Sequence, residues 1–336
     1  MTRTIRSGRA VALLGAALLA ASACSQTDVP PALSGPTTST TAADPAPPAE
    51  TPGCSNDTVT QSLRPDPAAL AALESGVFDP ASTMAAIVDR GRLRVGVDTS
   101  TLQFSSVDPS TGGFEGFDVD IAREIATALL GSPDAIEFVA IPYSERVNVL
   151  LPDEQTGDPT VDIVVDTFTI NCEREERIDF STEYFTSTQK LLVRVDSGVT
   201  SIEELGGQRV CAAAGSTSID NLNGLPEPRP IAVGVTDQAD CLVLLQQGRV
   251  DAISTDDTIL AGMRRQDPNV RIVGDGFSQE PYGVGLPPDR PEFVRFVNAV
   301  LERVRSSGRW NELYDQWLRG LLPEGNVTPP SAQYED

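Results

Sequence analysis

Short apolar runs alternate with stretches of helical periodicity through the middle of the chain, and they do so in two consecutive blocks. In the first block Leu93–Val97 reads as a strand closed by Asp98, and Phe117–Leu130 as an amphipathic helix. Residues 136–141 form the next strand, a helix is predicted from Ser144, and residues 161–165 form a third strand. In the second block Arg209–Ala213 is a strand that runs into a turn and helix start at GSTSIDNL. Residues 229–235 follow as strand, 237–247 as helix, and 251–254 and 270–273 as further strands. Strands in alternation with helices need crossover connections, which produces parallel sheets with helices on both faces. Two blocks give two α/β lobes, and 336 residues suffice for both. Near the end, residues 291–305 and 308–318 are amphipathic helices whose stripes (Phe293, Phe296, Val297, Val300 and Leu301, then Trp310, Leu313, Tyr314 and Trp317) belong in a core.

The flanks have a different character. Residues 1–23 join Arg3, Arg6 and Arg9 to an apolar run and a small-residue end, the pattern of a signal peptide too short to span a membrane comfortably. Ala21-Ser22-Ala23 followed by Cys24 resembles a bacterial lipobox, in which the cysteine is acylated, with palmitate for example, and becomes the new N-terminus. Residues 24–62, rich in Pro, Ser, Thr and Ala, read as a disordered tether from that anchor, and residues 323–336 as a disordered tail. This puts the folded part on the extracellular side of the cell membrane, lipid-anchored. Four further cysteines, an even number, fit an oxidising compartment. Of the three possible pairings, Cys211 with Cys241 is expected because both fall in one lobe, and Cys54 with Cys172 by elimination; buried free thiols are the alternative.

Composition excludes several functions. Against 25 Lys and Arg stand 48 Asp and Glu, a net charge of −23 that repels polyanions, so no nucleic-acid partner is expected. The chain has no histidine, which removes the commonest general base, Ser-His-Asp arrangements and most zinc sites. No phosphate-binding GxxxxGK[ST] run occurs, and no metal or cofactor is expected.

Several runs resemble the family 3 extracellular solute-binding proteins, the amino-acid receptors of ABC importers. GFDVDIAREIATAL from Gly116 is similar to the family signature. DIVVDTFTINCEREERIDFS from Asp162 is similar to its strand, TIT-x-ER loop and DFS turn. RVCAAAGSTS from Arg209, VDAISTDDTILAG from Val250, EPYGVG from Glu280 and the closing GRWNELYDQWL follow in family order. The resemblance spans about residues 85–320. It implies a type II periplasmic-binding-protein-like fold, with lobe 1 at 85–190 plus 284–320 and lobe 2 at 191–283. Two extended crossings, near 189–194 and 282–286, would act as a hinge.

The resemblance also implies a ligand set. Arg174 would grip an α-carboxylate as a fork donor, with the Thr169 amide and hydroxyl assisting. Gly215, Ser216 and Thr217, where a strand turns into a helix, would add free N–H groups. Asp256 would take the α-ammonium, supplemented by the Thr167 carbonyl. Arg146 would face a distal side-chain carboxylate, with Glu145 or another surface acid as its alternative partner. Asp98 and Phe104 would line the wall. Taken singly these residues have plain structural readings: CEREER is a solvated charge run, GSTS an N-cap, and TDD at 255–257 another. Departures from the family are Asn171-Cys172 for Thr-Pro and Asp166-Thr167 for Ala-Gly; Asp166 is either an extra ammonium acceptor or a hydrogen-bonded strand end. The expected function is a monomeric receptor delivering glutamate, glutamine, aspartate or asparagine to membrane permease subunits by clamp closure. The alternatives are a sensor signalling to a membrane protein, or a dehydratase or lyase on the same scaffold.

Overall fold

The protein is described by a computed structural model, which covers residues 61–322 and 328–335. The signal peptide, Cys24, Cys54 and nearly all of the tether lie outside the described residues.

The chain opens with β1 (Ser62–Leu63), α1 (Pro67–Ser75) and α2 (Thr83–Arg90). Asp66 and Ser82 cap the two helices by accepting from Ala69 N and Ala85 N, and left-handed Gly76 and Gly91 end them. β2 (Leu93–Val97) passes through a small meander of β3 (Ser100–Thr101), β4 (Ser105–Val107) and β5 (Phe114–Glu115) into α3 (Phe117–Leu130). α3 is N-capped by Gly116, whose φ of 135° and close approach admit no side chain: a Cβ there would lie 2.1 Å from Phe104 O. That carbonyl accepts from Asp118 N and Val119 N, so it closes the first turn of the helix. β6 (Ile136–Ala140) and β7 (Ile163–Val164) follow, both strands' neighbour being β2, to which each pairs in parallel. Between them the predicted helix from Ser144 is replaced by two 3-10 turns, Tyr143–Glu145 and Asn148–Leu150. Each turn is closed by an i→i+3 bond, Arg146 N to Tyr143 O and Leu151 N to Asn148 O, as is usual in short connectors.

α4 (Cys172–Glu175), β8 (Asp179–Phe180) and β9 (Phe185–Arg194) lead out of the first lobe. The second lobe comprises β10 (Arg209–Ala213), α5 (Thr217–Gly224), β11 (Ile231–Val235), α6 (Asp240–Gln246), β12 (Ala252–Asp256), α7 (Asp257–Gln266) and β13 (Val270–Tyr282). The chain then returns as β14 (Gly285–Leu286), α8 (Pro291–Ser306), α9 (Arg309–Trp317) and β15 (Tyr334–Glu335). The two large sheets have the orders β6-β2-β7-β14-β8 and β11-β10-β12-β9-β13. In each, three strands pair in parallel, and one reversed strand (β14 or β9) lies between the third and fifth. This is α/β architecture in two lobes.

The first-lobe core gathers Phe117, Phe293, Phe296 and Trp310 with Phe185 and Tyr282 from the crossing strands. Trp310 Nε1 donates to Tyr184 O at 2.8 Å, satisfying its one polar atom. The second lobe packs Leu192, Leu245, Ile253 and Leu260 around a Cys211–Cys241 disulfide (S–S 2.01 Å) that ties β10 to α6. Cys172 is also disulfide-bonded.

Two expectations need correction. Residues 189–194 are not a crossing: Gln189 sits opposite Asp256 and Leu192 opposite Ile253, inside the second sheet. The chain passes between lobes earlier, where Phe185 to Ser187 run beside Glu280 to Tyr282, and it returns through Gly283 and Val284. Polar residues disguise this part of β9, because Ser187 and Gln189 are buried and hydrogen-bonded to Asp257 Oδ1 (2.9 Å) and Ser218 O (3.0 Å). Nor is the C-terminal segment without structure: Tyr334 and Glu335 pair in parallel with Ser62 and Leu63, which also takes Ser62 out of the expected tether. Buried Asn298 donates to Ser62 Oγ (2.9 Å) and Leu63 O (2.8 Å), and accepts from Thr182 N at 2.7 Å. The Arg64 guanidinium lies 5.0 Å from the Tyr334 ring.

Candidate functional site

The parallel strands of both sheets point their carboxyl ends at one another, the place where open α/β sheets bind ligands. From the first lobe come Asp98 after β2, Arg146 after β6, and Asp166 and Thr167 after β7. From the second come Gly215 to Thr217 after β10, Asp237 after β11, and Asp256 at the end of β12. The two sets touch: Ser100 Oγ donates to Asp237 Oδ1 at 2.7 Å, and Arg146 Nη2 and Arg174 Nη2 both donate to Gly215 O at 3.4 Å. Gly215 has φ 76°, and a Cβ there would stand 2.6 Å from Ser144 Cα. The lobes are closed on each other.

Arg174 is buried on α4, whose N-cap Asn171 accepts from Arg174 N at 2.9 Å. Its Nη1 donates to Thr169 O, and its guanidinium lies 4.8 Å from the Phe168 ring. Arg146 is buried beneath it, donating from Nε to Tyr143 O (3.1 Å) and from Nη1 to Asp166 O (3.1 Å) and Thr167 O (3.5 Å). It turns inward, away from Glu145, which accepts from Asn148 instead. Among the described residues neither arginine forms an ion pair with a carboxylate. Burial and the adjacent Arg146 charge push the Arg174 pKa down to about 9 against the raising effect of Glu280, Asp220 and Asp256, so it remains a cation at neutral pH. A space of about 170 Å³ beside it is lined by Tyr143, Phe168, Asn171, Arg174, Gly215 and Asp220.

Acids surround the pair of cations. Asp256 accepts from Tyr282 Oη at 2.5 Å; burial, then the Glu280 carboxylate, push its pKa well above 3.8. An arriving ammonium would offset that penalty by favouring the ionised carboxylate. Asp256 is close enough to Arg174 to favour its charge, though it does not line the space beside that guanidinium. Asp98 is tied into its own loop, Oδ2 accepting from Ser100 N (3.0 Å), Thr101 N (2.8 Å) and Thr101 Oγ1 (2.6 Å). Thr167 adopts φ 41°, a conformation costly for a β-branched residue, and its N–H is held by Asp118 Oδ2 at 2.6 Å. Ser216 caps α5, accepting from Ile219 N at 3.3 Å, and Thr217 Oγ1 donates to Glu280 Oε2 at 2.7 Å.

The structure therefore gathers Arg174, Thr169, Arg146, Thr167, Asp98, Gly215, Ser216, Thr217 and Asp256 where the lobes meet. Phe104 is not with them: its ring is fully buried against Phe117, Phe185 and Tyr282 (centroids 5.7, 5.3 and 5.9 Å), so it is core, while its carbonyl serves α3. Two buried carboxylates escape sequence reasoning. Glu280, held by Thr217, Asn221 and Ser278, sits within the recognised EPYGVG run without standing out from other acids. Asp118, in the signature helix, reads as an exposed N-terminal charge, yet it reaches inward to Thr167 and Tyr184 Oη (2.7 Å).

Two α/β lobes joined by paired crossing strands, with arginines and acids enclosed between their strand ends, define a two-lobed solute-binding protein. Residues 93–320 match the bacterial extracellular solute-binding proteins, family 3, and the chain belongs to that family. It is similar to the ABC transporter glutamine-binding protein GlnH of Bacillus subtilis (strain 168), 37% identical over 238 residues that cover 70% of this chain and 85% of the relative. Among solved structures it resembles the solute receptor for L-cysteine of Neisseria gonorrhoeae, with TM-score 0.68 and 26% identity over 74% of this chain and 100% of that one. It also resembles AncCDT-1, an ancestral amino acid-binding protein and precursor of cyclohexadienyl dehydratase, with TM-score 0.63 and 31% identity over 71% of this chain and 100% of that one. No helix among the described residues is long and apolar enough to cross a membrane.

Proposed function

We propose that the protein is an amino-acid receptor of an ABC importer, anchored by an acylated Cys24, that closes on a polar or acidic amino acid. The observation carrying this is the enclosure, between two lobes, of an unpaired Arg174 guanidinium and the protonation-prone Asp256 carboxyl, a matched pair for the two ends of a zwitterion. Arg174 and the N-terminal turn of α5 take the carboxylate; Asp256 takes the ammonium. Ligand bridging the lobes gives the closed state contacts that the open state lacks, and closure follows from that difference. At Asp98 binding is favoured over turnover, since its Oδ2 already accepts from Ser100 and Thr101 of its own loop. Isothermal calorimetry with glutamine, asparagine, glutamate and aspartate is the test: at least one gives saturable heat, and silence with all four sinks the proposal. Acyl incorporation abolished by Cys24→Ser checks the anchor.

A further inference from the structure

Asp166 follows β7 at the edge of the cleft and is fully buried. Its Oδ1 accepts from Asp98 N at 3.1 Å, whereas Oδ2 is buried with no hydrogen-bond partner among the described residues. A bare carboxylate oxygen in the interior is costly, and a donor supplied by a ligand relieves that cost. Beside it stands Arg146, whose Nη1 binds the Asp166 carbonyl at 3.1 Å. Arg146 Nη2 carries two N–H groups and makes one long bond, 3.4 Å to Gly215 O. An unused acceptor and an unused donor thus share one corner of the closed cleft.

The charges around that corner are unequal. The buried acids Asp98, Asp118, Asp166, Asp256 and Glu280 outnumber the buried guanidiniums of Arg146 and Arg174, and burial already pushes Asp118, Asp166 and Asp256 towards the protonated form. The α-carboxylate and α-ammonium of an amino acid cancel, so an anionic side chain would add one more negative charge to an acid-rich interior. A carboxamide adds none, and it offers an oxygen to Arg146 and N–H groups to Asp166. We infer that Asp166 and Arg146 form a donor–acceptor pair that selects a carboxamide side chain, glutamine or asparagine, over the corresponding carboxylate. The inference rests on the amino-acid receptor reading and specifies its ligand.

Calorimetry at pH 7.5 on the wild-type receptor and on Asp166→Asn, each with glutamine, asparagine, glutamate and aspartate, tests it. The expected wild-type result is at least tenfold tighter binding of one amide than of its acid. Asp166→Asn, which replaces a carboxyl oxygen able to accept with a group able to donate, is expected to reduce that ratio at least tenfold. Equal or tighter wild-type binding of the acids overturns the carboxamide assignment but leaves the receptor reading intact. Wild-type binding of none of the four defeats the receptor reading itself. An unchanged ratio in Asp166→Asn removes Asp166 from selection. Asp166→Ala, an acceptor lost without a donor gained, is expected to weaken amides more than acids, and the opposite order also overturns the role. The wild-type comparison stands even if a variant folds poorly.

Discussion

Arg174 concentrates what single residues do here. Its charge is buried without a carboxylate, so an arriving α-carboxylate completes a charge-assisted pair that water cannot supply. Arg174→Ala is therefore expected to weaken amino-acid binding by about 2 to 5 kcal/mol, read by calorimetry; a loss below tenfold would take Arg174 out of the site. Asp118 gives a second expectation. Burial raises its pKa from 3.8 to about 7, against the lowering effects of the Tyr184 hydroxyl, the Thr167 amide and Arg146, with Asp166 a further acid nearby. Between those two values the folded chain keeps a proton that the unfolded chain has released. The contribution to stability is thus complete below pH about 4 and is lost as pH rises through 7. Asp118→Asn never ionises, so its stability relative to wild type should climb by roughly 2 to 4 kcal/mol from pH 4 to pH 8; parallel urea curves across that range would refute this. At this scale legibility depended on motif context. Arg174, Thr169 and Asp256 lie in runs with a recognisable order, whereas Glu280 and Asp118 are two acids among 48 and nothing local marks them as buried. Phe104 misleads because a lone aromatic beyond a strand fits a wall and a core equally well.

Elements built from branched apolar runs were readable, and those built from buried polar residues were not. β2, β10 and α3 carry their periodicity openly. β9 begins with Phe185, Thr186, Ser187 and Thr188, where polar side chains, such as Ser187 bonded to Asp257 of α7, take the place of apolar packing, so the crossing lies earlier than its apolar half suggests. Residues 143–150 fold as two successive 3-10 turns in place of one α-helix. The disulfide shows what holds one element behind the site: Cys211 on β10 and Cys241 on α6 close a segment of sequence separation 30. Loop-closure entropy assigns that bond about 3.5 kcal/mol. Replacing both cysteines by alanine should lower the denaturation midpoint accordingly, and an unchanged midpoint would show that β10 and α6 pack equally well without it.

Across the whole molecule, closure is limited by Gly215, where the second lobe meets Ser144 of the first. Gly215→Ala places a methyl group 2.6 Å from Ser144 Cα and needs an unfavourable backbone besides. We expect at least about tenfold weaker ligand binding, near 1.4 kcal/mol, together with a smaller ligand-induced decrease in radius of gyration by X-ray scattering. Full compaction at wild-type affinity would show that the lobes do not need this approach. The path of the chain has a mechanical corollary. β1 and β15 lie together on the first lobe, and the second lobe is an excursion that leaves and returns through adjacent strands. A pull on either end of the polypeptide is borne by one half of the clamp alone, so tension from an attachment at the start of the chain would do no work on opening or shutting the jaws.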